Sequence, residues 1–115
     1  MDDRTVVEFT CEKKIWPAVD EWAQRTKMGL VQKNGTRHYR KGRGFMNART
    51  NVAFSQDGDT VHVEAWLEST GFLQRLRVPP VMGIGSGGMK LTVPRKDARK
   101  GLNKLLEELG GPTVE

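Results

Sequence analysis

Leu30-Val31-Gln32-Lys33-Asn34-Gly35-Thr36-Arg37-His38-Tyr39-Arg40-Lys41 sets two short strand-like runs on either side of an Asn-Gly dipeptide. Asn-Gly suits the two central positions of a tight hairpin turn, because both must take positive φ. A two-residue turn predicts an antiparallel ribbon with Lys33 opposite Thr36, Val31 opposite His38 and Leu30 opposite Tyr39. Downstream, Met46, Ala48, Thr50, Val52 and Phe54 recur at every second residue, the spacing of one face of a strand. Gln56-Asp57-Gly58-Asp59 reads as a turn. From Thr60 to Glu68 the alternation resumes, with Val61, Val63, Ala65 and Leu67 on one face and His62, Glu64, Trp66 and Glu68 on the other. Such strands make an antiparallel meander with one buried and one wet face.

Upstream, Thr5 to Thr10 alternates as another strand, and Ile15, Val19, Trp22, Ala23 and Thr26 follow at helical spacing. Pro17 fits only the first turn of that helix, and Gly29 stands where a left-handed residue would end it. Near the C-terminus, Ala98, Leu102, Leu105, Leu106 and Leu109 form the apolar stripe of a second helix. It is predicted to start with Pro94 at its first helical position and to stop at Gly110-Gly111-Pro112. The stretch 69–93 is too long for a structureless loop in a compact domain, so at least one more strand is expected, at Met89–Val93, with another around Leu73–Val78. The order is β-α-β-β-β-β-(β)-α. This is an α+β fold: a twisted antiparallel sheet of four to six strands with two helices packed on one face.

At 115 residues, 37% hydrophobic and 29% charged, the chain is the size and composition of one globular domain spanning 1–115, with flexible ends at about 1–4 and 110–115. A lone cysteine, Cys11, excludes an intramolecular disulfide and any cysteine-cluster zinc site. With no apolar stretch after the acidic Met1-Asp2-Asp3-Arg4 start and no run long enough to span a bilayer, a reducing cytoplasm is the expected location.

Nothing in the chain assembles a catalytic set, so no enzyme activity, cofactor or metal is expected. His38 and His62 lie far apart in sequence, and His62 and Glu64 share a strand face as ordinary wet-face residues do. Gly83-Ile84-Gly85-Ser86-Gly87-Gly88 matches a dinucleotide-binding motif by letter, but Pro79-Pro80 precede it and a strand-like run follows.

The charge is more informative. Residues 30–58 carry Lys33, Arg37, Arg40, Lys41, Arg43 and Arg49 against Asp57 alone, a local surplus equal to the whole chain's +5. With Tyr39 among them for stacking, these cations suit a phosphate backbone. They equally suit an edge hairpin kept soluble by charge. Arg95, Lys96, Arg99 and Lys100 crowd the start of the last helix, against the preference of the helix dipole.

Pro94-Arg95-Lys96-Asp97-Ala98-Arg99, followed by Leu102, Leu105 and Leu106, resembles the basic start of the last helix in double-stranded RNA-binding domains. The resemblance covers about fifteen residues and implies RNA as partner and an α-β-β-β-α order before that helix. The chain departs from it in the leading strand and the long 69–93 insertion. The expected function is a non-catalytic binding module with a basic face for an anionic partner, nucleic acid foremost. Lys33, Arg37, Tyr39, Arg40, Lys41, Arg43, Lys96, Arg99 and Lys100 would carry it. The alternative is an apolar pocket or protein-docking patch at Trp66 together with Phe72, Leu76, Met82 and Ile84 of the 72–84 segment, with a cavity between the first helix and the sheet, open near Trp66.

Overall fold

The computed structural model describes residues 4–33, 36–41, 49–68, 81–85 and 92–115. Among the described residues six strands, β1 (Thr5–Thr10), β2 (Gly29–Lys33), β3 (Arg37–Lys41), β4 (Arg49–Asp57), β5 (Thr60–Glu68) and β6 (Val81–Met82), accompany two helices, α1 (Trp16–Thr26) and α2 (Thr92–Glu108). The five longer strands lie in the order β1-β5-β4-β3-β2, and every pairing is antiparallel. The short β6 pairs with β5 through Leu67 opposite Met82, continuing the edge where β1 begins. Because β1 belongs to the sheet, the order is not that of the double-stranded RNA-binding domains. No helix among the described residues is long and apolar enough to cross a membrane.

Period-two alternation places the core. Val61, Val63, Ala65 and Leu67 of β5, Val52 and Phe54 of β4, Tyr39 of β3 and Val7 of β1 turn to one face. There they form one cluster with Ile15, Val19 and Trp22 of the first helical segment and Leu102, Leu105 and Leu106 of α2. Trp22, Tyr39 and Phe54 meet edge to face at centroid distances of 5.3–6.0 Å, the geometry their ring quadrupoles favour. Trp22 Nε1 donates to Gly101 O at 3.2 Å, joining α1 to α2. Gln56 ties down the β1–α1 connection: its Oε1 accepts from Ile15 N at 3.0 Å and its Nε2 donates to Lys13 O at 2.9 Å.

Several expectations change. The hairpin register holds for Leu30 opposite Tyr39, but Gln32 faces His38 and Lys33 faces Arg37. A bulge between Leu30 and Gln32 takes up the extra residue, which leaves three residues rather than two between the paired Lys33 and Arg37. Bulges of this kind twist an edge strand away from unwanted pairing. The Asn34-Gly35 turn lies outside the described residues, as do Met46, Ala48, Leu73–Val78 and Met89–Leu91. Among the described residues the extra strand is Val81–Met82, and Thr92 and Val93 belong to α2, so Pro94 is its third residue rather than its first. The C-terminal segment 110–115, expected to be loose, is held: Val114 N donates to Asn103 Oδ1 at 2.7 Å and Asn103 Nδ2 donates to Val114 O at 2.9 Å.

Both helices end in the same hydrogen-bond pattern. In α2, Gly110 at φ 76° turns the chain, with Gly111 N donating to Leu106 O and Gly110 N to Glu107 O. Gly111 then passes over Phe9, where an added Cβ would sit 2.9 Å from the ring. In α1 the left-handed residue is Lys27, at φ 60° and ψ 37°, with Met28 N donating to Ala23 O. Gly29 cannot serve there because it is already paired with Arg40 in the sheet. A side chain in this conformation carries a steric cost that glycine avoids. Lys27→Gly is therefore expected to raise stability by about 0.5–1 kcal/mol, read as a higher denaturant midpoint at unchanged slope.

Candidate anion-binding site

The strand alternation of β3 divides the basic hairpin between the two faces of the sheet. Arg37 lies on the helix side. Its Nη1 donates to Asp20 Oδ1 at 2.8 Å, and its guanidinium lies 4.6 Å from the Trp16 ring centroid. Tyr39, also on that side, is 3% exposed and donates its hydroxyl to Asp20 Oδ1 at 3.2 Å, so it is a core ring rather than a stacking platform. Arg40 is on the opposite face, where its Nε donates to Asn51 Oδ1 at 3.2 Å and lies 3.9 Å from Glu68. At the start of α2, Arg99 Nη1 donates to Ile84 O at 2.9 Å and the buried Arg95 donates to Gly85 O at 3.0 Å. These arginines thus help hold the fold together, and Arg43 lies outside the described residues.

The lysines differ. Lys33, Lys41, Lys96 and Lys100 are all exposed. Lys41 ends β3 beside the middle turns of α2, where it shares a hollow with Asp97, Ala98 and Gly101. Lys100 lines the adjoining depression with Asp97, Gly101 and Lys104. Lys96 is one helical turn before Lys100, on the same side of α2. The end of the hairpin therefore meets the middle turns of α2, around Asp97 to Gly101, next to the end of α1. Lys33 is at the far end of the ribbon, opposite Arg37.

The apolar candidates sit elsewhere. Trp66 is on the face away from the helices but only 7% exposed, with the Arg4 guanidinium 3.9 Å from its ring centroid and the His38 ring at 5.2 Å. Ile84 is fully buried in the core and Met82 packs against that core. Phe72 and Leu76 lie outside the described residues. The hollow of about 160 Å³ lies between both helices and the sheet, on the opposite side from Trp66.

Two groups escape pattern reading. Asn51, fully buried on the sheet face away from the helices, accepts from His38 Nε2 at 2.9 Å and from Arg40 through Oδ1. Its Nδ2 donates to Glu68 Oε1 and Arg49 O, each at 3.4 Å. Because Glu68 and the Arg49 carbonyl are acceptors, the amide orientation is determined, and His38 carries its proton on Nε2. The only sequence signal is Asn51's place opposite Trp66 in the register. The second group is the wall formed by Thr26, Met28 and Thr50. Thr50 shares the strand face of Val52 and Thr26 the helical stripe of Trp22, so each shows in its own period, whereas Met28, between α1 and β2, belongs to no pattern.

Burial, with Asp20 beside it, raises the Tyr39 hydroxyl above its ordinary value near 10, although Arg37 opposes the shift. A raised pKa means that the folded state resists ionisation, so this contribution is complete below pH 10 and is lost as pH rises through the folded midpoint. Tyr39 is the only tyrosine, so an ultraviolet absorbance titration reads it alone. The expected result is a midpoint above 10 in the folded chain, with a fall in stability above pH 10 that Tyr39→Phe flattens.

No family model, curated protein or solved structure matches the chain.

Proposed function

We propose that this chain is a non-catalytic binding module whose anionic partner is nucleic acid, engaged where the end of the hairpin meets α2. The observation that carries this reading is that Lys41, at the end of the basic hairpin, and Lys100 of α2 line two adjoining hollows that share Thr26, Asp97 and Gly101. Exposed ammonium groups on flexible stems suit phosphate tracking, since neutralising phosphates releases condensed counterions. Arg37, Arg40 and Arg99 are engaged by partners within the fold and are not part of this surface. The same reading puts the chain in the cytoplasm, where nucleic acid is at hand and the lone thiol stays reduced.

The test is a titration with short single strands and duplexes at about 50 and about 200 mM salt, where binding should weaken steeply as salt rises. Lys41→Glu with Lys100→Glu is expected to lower affinity on the order of tenfold or more at the lower salt, since each reversal replaces an attraction by a repulsion. The control is Lys13→Glu with Lys14→Glu, the same charge change in the exposed β1–α1 connection. Equal losses in the two variants would show a response to net charge alone. Absence of binding at the lower salt would remove nucleic acid as the partner.

A further inference from the structure

The hollow between the helices and the sheet has a dry floor and a polar rim. Trp22, Val52 and Leu102, all buried, form the floor. The floor's own polar groups are engaged: Trp22 Nε1 donates to Gly101 O, and Thr26 Oγ1 donates to Trp22 O at 2.7 Å. What the rim offers an occupant is the Lys41 ammonium, the Asp97 carboxylate and the Thr50 hydroxyl. Asp97 also borders the neighbouring depression with Lys100 and Lys104, so one carboxylate stands among three lysines.

Gly101 keeps this hollow open. Glycine weakens a helix interior, and packing does not require it here: a Cβ at Gly101 would meet Thr26 Cγ2 at 3.7 Å, an ordinary contact. A longer side chain at this position, which lines both depressions, would occupy the space.

The cavity, at about 160 Å³, is the size that holds one six-membered ring, since a dry protein cavity of about 150 Å³ accepts benzene. A flat ring that offers a hydrogen-bond donor to Asp97 and carries anionic groups on its flanks would match this lining. We infer that the hollow takes an unstacked cytosine of a single strand, its N4 amino group donating to the Asp97 carboxylate while the flanking phosphates meet Lys41 and Lys100. Carboxylate side chains accept from that amino group in base recognition. Uracil presents a carbonyl oxygen at the same position and is repelled, while adenine carries its amino donor on a larger, two-ring base. The inference rests on the nucleic-acid reading above and adds a base preference to it.

The experiment compares short oligocytidylate, oligouridylate and oligoadenylate by fluorescence anisotropy at about 50 mM salt, where phosphate contacts are strong. Oligocytidylate is expected to bind about five- to tenfold tighter than oligouridylate, the size of one base-edge contact, with oligoadenylate between them because its amino donor sits on the larger base. Asp97→Asn should bring cytidylate and uridylate together, because an amide pairs with either. Gly101→Met should abolish the base preference while leaving salt-dependent binding, whereas Gly101→Ala should keep it. Thermal melts of both variants show that the fold is intact. Equal affinity for the three strands, or a preference that survives Gly101→Met, would overturn the cytosine pocket and leave backbone binding standing. No binding by any strand would overturn both readings.

Discussion

Replacing Phe54 by alanine is expected to lower the unfolding free energy by about 3–5 kcal/mol, the range for removing a buried phenyl ring. Phe54 is fully buried at the centre of the sheet, on the central strand β4, and its ring touches both Trp22 and Tyr39 edge to face. Truncation therefore removes two aromatic contacts and leaves a cavity between α1 and the sheet, beneath rings too rigid to fill it. A loss of this size is a large fraction of the roughly 5–15 kcal/mol that hold a typical domain folded. The measurement is denaturant unfolding followed by circular dichroism. The matched control is Val6→Ala, at 53% exposure on β1, which should change stability by less than about 0.5 kcal/mol. If the two variants lie within about 1 kcal/mol of each other, Phe54 does not occupy the core centre.

Asn51→Ala is expected to cost about 2–3 kcal/mol although it removes only a small polar side chain, because buried groups that lose a partner bear their desolvation unaided. One amide serves His38, Arg40, Glu68 and the Arg49 carbonyl, and it is fully buried. Arg40 and Glu68 are partly exposed and can turn to water, which keeps the estimate below the sum of its bonds. Ser55→Ala, two positions away from Ala53 on the same sheet face, is the comparison and should stay within about 0.5 kcal/mol. Two-dimensional NMR of the histidine rings adds a second readout. Loss of the Asn51 acceptor should shift the His38 Nε2–H signal and leave His62, bonded to Glu8, unchanged.

The two helices, the meander and the faces of β4 and β5 are legible in the sequence because each depends on a local period. A strand turns its side chains every second residue and a helix every three or four, so Val61, Val63, Ala65 and Leu67 reveal their face without knowledge of any partner. The same rule, applied to Arg37, Arg40 and Lys41, already separates the basic residues onto two faces. The missed features come from contacts between distant segments. Asp20 of α1 claims Arg37 and Tyr39, and Arg4 covers Trp66. Lys27 rather than Gly29 ends α1 because Gly29 is needed opposite Arg40. The convergence of Lys41 with Lys100 likewise depends on where α2 crosses the ends of β3 and β4. Residue order alone thus settled the class of fold and the core stripe. Which cations hold the fold together and which stand exposed around a hollow was decided by tertiary packing, since hydrogen bonds and ion pairs form with whatever side chain the fold brings near, at any separation along the chain.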